Sequence, residues 1–123
     1  MLALSIVAPH GTNIACGRKT LEIRSWKPPY LPLRNLLIVE NRILLVEEGQ
    51  SDPNATAVAL VDVEEVHAWQ PSERAAACST KWTPGYWAWS LSNVRPLSGR
   101  VRVAARRKLY DVQIPLESLP QLG

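Results

Sequence analysis

A chain of 123 residues, 46% hydrophobic and 20% charged, is long enough to bury a core of its own, and its composition excludes wholesale disorder. We expect one domain over residues 1–123 that folds without staples or metals. The net charge of +3 is unevenly placed: residues 1–33 set four cations against Glu22, residues 34–73 set two arginines against eight acids, and residues 74–123 set eight cations against Asp111 and Glu117.

In chain order, the first apolar stretch alternates, with Leu2, Leu4 and Ile6 on one face as in a short strand. It lacks a basic start and runs into Pro9, His10 and Gly11. It therefore reads neither as a signal peptide nor as a membrane span, and a cytoplasmic location is expected. Pro9 suits the first turn of a helix and Gly17 the left-handed residue that ends one, which predicts about two helical turns between them. "GRKTLEIRSW", residues 17–26, follows as strand material, with Leu21 and Ile23 on one face and Thr20, Glu22, Arg24 and Trp26 on the other. "KPPYLP", from Lys27, is a rigid loop because three prolines remove backbone donors and fix the chain extended. "NLLIVENRILLVEEG" begins as a strand to about Asn41 and continues as either a second strand or a helical turn.

Gly49 to Asn54 is a turn by composition, and "ATAVALVDVEEVHAW" is a long strand rich in β-branched residues, with Ala59, Val61 and Val63 along one face. "PSERAAAC" reads as a short helix opened by Pro71, and the loop after it carries Trp82. "YWAWSLSNVRPL" puts Trp87, Trp89 and Leu91 on one face, a row that reads as core. A strand around Val101 and Val103, a basic turn at Arg106, Arg107 and Lys108, and a final strand over Leu109 to Ile114 complete the chain. The sum is a mixed, strand-dominated α+β fold of six or so strands with two short helices, in which a closed barrel would hide the sheet edges.

Cys16 and Cys78 stand far apart without CxxC spacing, which argues against a zinc site or a redox motif, and we expect two free, mostly buried thiols. The sequence carries no GxSxG, metal-ligand cluster or phosphate loop, so neither a metal nor another cofactor is expected. The two basic ends flank an acidic middle. If the ends meet in space they form one positive surface suited to a polyanion.

The run "GRKTLEIRSW" resembles the GxKxxExR signature of the ASCH domain family, a branch of the PUA-like superfamily, with Gly17, Lys19, Glu22 and Arg24 in place. "LSIVAPHGTNIACG" before it resembles the family's first strand and helix, and "GYWAWSLSNVRPL" its late strand. The resemblance implies a PUA-like pseudo-barrel of five or six strands, helices at its rim, and a cleft into which the signature residues point. It implies binding of RNA or another nucleic acid or nucleotide. It also leaves open a hydrolase, either a ribonuclease or an enzyme that removes the acyl group of acylated cytidine. In that amidohydrolase branch a threonine nucleophile stands where this chain has Glu22, so its mechanism does not transfer as it stands. Many relatives carry a glycine-rich turn before the last strand, where this chain has three bases.

Nucleic-acid binding needs cations for phosphates and flat side chains for unstacked bases. Lys19, Arg24 and Lys27 are the candidate cations of the cleft, and Arg106, Arg107 and Lys108 extend the track. Trp26, Trp82 and Tyr86 are the candidate stackers, since each lies at a strand end or in a loop. Glu22 fits as an acceptor for a base amino group or as the partner that orients Arg24 or Lys19. A binding module is favoured; the alternative is a hydrolase using Lys19 and Glu22. His10 can join the cleft, and His67 is expected to be structural. The partner is expected to be nucleic acid or nucleotide, with no membrane.

Overall fold

The computed structural model describes residues 1–120 and 122. Strand β1 (Leu2–Val7) leads into helix α1 (His10–Ala15), and strand β2 (Leu21–Arg24) follows the helix end. The helix stops where expected: Gly17 adopts a φ of +84°, a left-handed backbone that glycine enters without a side-chain clash. Strands β3 (Leu33–Asn41), β4 (Ser51–Asp52), β5 (Thr56–Ala68), β6 (Trp87–Arg102), β7 (Ala105–Arg106) and β8 (Leu109–Asp111) complete the strand set, with 3-10 turns at Pro71–Glu73 and Leu116–Ser118.

Six strands form one sheet in the order β2-β6-β5-β3-β1-β8, while β4 and β7 pair as a small second sheet. Only β1 and β3 run parallel, joined by a long crossover that takes in α1 and the edge strand β2; the other pairs are antiparallel. The sheet curls into a half-barrel, the PUA-like arrangement that the sequence implied. The curl is visible in one contact: Arg24 on edge strand β2 donates from Nη2 to the carbonyl of Ser5 on β1 at 2.8 Å, although three strands lie between them in the sheet.

The central strands bury both faces. On β3, Leu36 and Ile38 join Leu4, Ile6, Ile14, Val61, Val63 and Trp89 in one cluster, while Leu37 and Val39 join Ala3, Ala57, Leu60 and Ala105 in another. This explains why the sequence there is a run of apolar residues rather than a clean alternation. Full burial of each Leu, Ile or Val among them contributes about 1.5–3 kcal/mol. Trp89 is fully buried, as the core reading of its strand required. No helix among the described residues is long and apolar enough to cross a membrane.

Several expectations need correction. The stretch after Asn41 forms neither a second strand nor a helical turn. Polar side chains satisfy its backbone instead: Asp52 accepts from the Arg42 N–H at 2.7 Å, and Gln50 Oε1 accepts from the N–H groups of Val46 and Glu47. The turn expected over Gly49 to Asn54 contains the short strand β4, held because Ser51 and Asp52 pair with Arg106 and Ala105. Residues 87–102 are one strand rather than two. A register shift between Ala57 and Ala59 carries the β5–β6 ladder from Val101 to Pro96, past Gly99, without breaking it, and two further shifts follow at Leu60/Asp62 and Val63/Glu65. The helix expected over Pro71 to Cys78 is a single 3-10 turn over Pro71–Glu73, capped by reciprocal bonds between Gln70 and Glu73. The last strand is shorter than expected, ending at Asp111. Both thiols are free, but Cys16 is exposed at the end of α1 and Cys78 is half-buried, so neither is the core residue expected.

Candidate functional site

Lys19, Glu22 and Arg24 sit on and just before β2, where period-two alternation sends Leu21 and Ile23 to one side and Glu22 and Arg24 to the other. That other side is not solvated. Lys19 is only 4% exposed and Glu22 only 5%. Burying charges demands partners, and each has them. Glu22 Oε2 accepts from Arg24 Nε at 2.8 Å and lies 2.7 Å from Nη2, a two-pronged pairing that fixes the guanidinium plane. Its other oxygen lies 3.6 Å from Lys19 Nζ, and Lys19 donates to the carbonyl of Ala77 at 2.5 Å. The Ala76 carbonyl accepts from the N–H groups of Thr20 and Leu21, so the segment around residues 76 and 77 is stitched to the start of β2. The carboxylate is therefore the hub of the trio, with a cation on either side.

This trio forms part of the lining of a cleft of about 730 Å³. Ser5, Ile6 and Val7 of β1 lie across from it, Trp26 and Tyr86 contribute aromatic surface, and Leu44 and Leu45 add an apolar lip. Five cationic side chains, Lys19, Arg24, Lys81, Arg107 and Lys108, line the cleft against the single carboxylate of Glu22. Trp26 is braced edge-on by the core tryptophan Trp89, with centroids 5.0 Å apart and planes at 89°, and its carbonyl accepts from the Trp89 indole N–H at 3.3 Å.

His10, at the start of α1, also lines the cleft, and its Nδ1 is buried without a hydrogen-bond partner among the described residues. Burial, reinforced by the Lys19 charge, holds the imidazole below its ordinary pKa against the opposing pull of Glu22 and Glu40, so it is neutral at pH 7. No group of His, Cys, Asp and Glu among the described residues is arranged to hold a metal ion.

The model of the ASCH domain matches residues 4–99, which is most of the chain and takes in every strand from β1 to most of β6. The chain belongs to the ASCH domain family. Among solved structures it resembles the crystal structure of a mutant form of ZmASCH from Zymomonas mobilis, with a TM-score of 0.53 and 15% identity over 83% of this chain and 75% of that one. That likeness supports the fold. A search of curated proteins finds no match.

Within this ASCH fold, seven of the residues singled out from sequence come together at the cleft: Lys19, Glu22, Arg24, Trp26, Tyr86, Arg107 and Lys108. Three lie outside its lining. Lys27 rests 4.2 Å above the centroid of the Trp87 ring in a cation–π contact. Trp82 packs on Trp69 at 6.3 Å and donates its indole N–H to the Trp69 carbonyl at 3.0 Å, which makes it a wedge under the 71–86 segment. Arg106 faces a neighbouring basin. His67 behaves as the structural residue expected, held between Glu73 at 2.8 Å and Glu65 at 3.1 Å. Burial pushes the Glu73 carboxyl up, but the His67 contact and the Gln70 N–H outweigh it and hold the group below its usual range.

Sequence reading missed Ser5, Lys81, Leu44 and Leu45 as lining residues. Ser5 carried no signal, because it contributes its backbone carbonyl to Arg24, and its hydroxyl donates to the carbonyl of Arg106. Lys81 had a weak one, being a cation in the same loop as Trp82.

Proposed function

We propose that this ASCH domain binds single-stranded nucleic acid, with RNA as the leading ligand, by taking one unstacked nucleotide into the cleft and its phosphates onto the basic rim. The observation that carries the reading is the gathering, around one cleft, of five cations with Trp26 and Tyr86 against a single carboxylate, which Arg24 and Lys19 already engage and which leaves Lys81, Arg107 and Lys108 outside that pairing. About 730 Å³ is within the range of roughly 300–1,000 Å³ typical of small-molecule sites, ample for a nucleotide. Arg24 is the anchor, because Glu22 and the Ser5 carbonyl hold its guanidinium in place before any ligand arrives and so reduce the entropy lost on binding. Lys81, Arg107 and Lys108 serve as phosphate contacts, and Tyr86 and Trp26 as stacking surfaces. The Glu22 oxygen nearer Lys19 keeps acceptor capacity for a base amino group.

The competing reading is a hydrolase acting on RNA or an acylated nucleoside through Lys19 and Glu22. What favours binding is that both groups already have structural work: Lys19 secures the Ala77 carbonyl, and Glu22 secures Arg24.

Fluorescence anisotropy with a labelled single-stranded RNA hexanucleotide tests the proposal. Binding is expected at low salt and to weaken as salt rises. Arg24→Ala should abolish it, with the fold checked by thermal melting, while Lys81→Gln should only reduce the slope of log K against log salt by about 0.7. Absence of binding at low salt, or full affinity in Arg24→Ala, refutes the reading. Loss of acetyl groups from acetylated cytidine, or RNA cleavage that Lys19→Ala abolishes, replaces it with the hydrolase.

A further inference from the structure

The turn at Arg106 to Lys108 belongs to two cavities. Arg107 and Lys108 line the main cleft, and with Arg106, Gln50, Ser51 and Tyr110 they also line a second basin of about 440 Å³. The two residues therefore form a ridge shared by both. The basin is built rather than incidental. Pairing of Ser51 with Arg106 and of Asp52 with Ala105 clamps the 47–51 loop against the turn, and the Ser5 hydroxyl donates to the Arg106 carbonyl, tying the basin to the strand beneath the cleft.

The ridge is also chemically unspent. Among the described residues no carboxylate pairs with Arg106, Arg107 or Lys108, and Glu48 is the single acid in the basin lining. Lys108 has a φ of +61°, a left-handed backbone that suits glycine and strains a lysine. A cation thus stands between two cavities at a position where the backbone would prefer no side chain at all.

We propose that this ridge carries a phosphodiester backbone out of the cleft and into the second basin, which acts as a phosphate subsite centred on Arg106. The ligand is then a single-stranded nucleic acid of several nucleotides rather than a free nucleotide. This rests on the nucleic-acid reading above and extends it from one nucleotide to a chain. Arg106 and Arg107 present forked guanidinium donors suited to phosphate oxygens, and Lys108 a compact charge. Burial pushes the Tyr110 phenol up to about 12 against the opposing Arg106 backbone N–H and charge, so it stays neutral and adds no repulsion toward phosphate.

The test compares a nucleoside monophosphate with the RNA hexanucleotide on the same protein. The wild type should bind the hexanucleotide more tightly. Arg106→Glu, which lies outside the main cleft, should weaken hexanucleotide binding roughly 3- to 30-fold and leave the monophosphate unchanged, since exposed single contacts are individually weak and the reversal counts twice. Lys108→Gly should lower hexanucleotide affinity while the melting temperature stays equal or rises, because glycine relieves the left-handed strain. Equal affinity for both ligands in the wild type overturns the second subsite and leaves the cleft reading standing. So does an Arg106→Glu variant that keeps full hexanucleotide affinity, or one that weakens both ligands alike. A wild type that binds neither ligand overturns the nucleic-acid reading itself, and the subsite with it.

Discussion

Replacing Glu22 with glutamine removes the negative charge between two cations, Lys19 at 3.6 Å and Arg24 at 2.7 Å. Deleting one partner of a buried ion pair costs roughly 3–5 kcal/mol, because the remaining charge is left uncompensated where little water can solvate it. Here the amide oxygen can still accept one guanidinium N–H, and Lys19 keeps its bond to the Ala77 carbonyl, which places the loss near the low end, about 3 kcal/mol. For a chain of this size a loss of 1 kcal/mol lowers Tm by about 4 °C, so Glu22→Gln should melt about 12 °C below the wild type when followed by circular dichroism. Glu64 provides the control. It approaches Arg34 just as closely, at 2.7 Å, but is 58% exposed, so Glu64→Gln should cost about 0.5 kcal/mol, or about 2 °C. If the two variants shift Tm equally, or Glu22→Gln stays within about 2 °C of the wild type, burial does not give the trio its importance and the reasoning fails.

Tyr86 is 38% exposed at the cleft, so Tyr86→Ala should leave Tm nearly unchanged while costing about 1–3 kcal/mol of RNA affinity by titration; unchanged affinity would remove it as a stacker. His10 has a folded-state pKa lowered below 6.5, so the unfolded chain takes up its proton first, and stability falls as pH drops below about 6.5 toward the folded value. Melting curves of His10→Gln should therefore lose part of the wild-type decline in that window, and identical pH profiles would contradict the assignment. Asp62 is 3% exposed and accepts from the Asn35 N–H, the Asn93 side chain and Arg95. Burial raises its pKa, but these partners and Arg34 outweigh it and hold the carboxyl below its usual range. Its stabilisation is thus present above about pH 4 and is lost as acid protonates it. Asp62→Asn should lower stability by about 3 kcal/mol in urea unfolding at pH 7 and much less at acidic pH; equal losses at both would show that charge is not what Asp62 contributes.

The period-two reading of β2 survived because edge-strand alternation depends only on local backbone geometry, and it correctly separated Leu21 and Ile23 from Glu22 and Arg24. What alternation could not show is which polar face is wet. Burial of Lys19 and Glu22 comes from the Ala76–Ala77 segment and from the curl that brings β1 opposite β2, both of them long-range. The same limit explains the loop after Asn41. Its apolar residues suggested regular structure, yet side chains rather than a ladder satisfy its backbone, Gln50 three and four residues on and Asp52 ten residues on, and leave Leu44 and Leu45 as a lip of the cleft. Trp82 was chosen as a stacker for lying in a loop and Lys27 as a cation near the signature, and each is committed to a tryptophan, Trp69 and Trp87; loop position signals exposure only where no neighbour covers the side chain. The basic ends of the chain do converge, since Lys19 and Arg24 share one cleft with Arg107 and Lys108, while Glu64 and Glu65 of the acidic middle lie outside its lining.

The central claim is that nucleic acid enters this cleft, and chemical-shift mapping by NMR tests it most directly. Titrating unlabelled RNA hexanucleotide into isotope-labelled protein should move the Arg24 Nε–H, the Trp26 indole N–H and the amides of Tyr86, Arg107 and Lys108, with the Glu64 and Glu65 region silent. Shifts confined to the acidic strand, or none at RNA concentrations well above that of the protein, would contradict it.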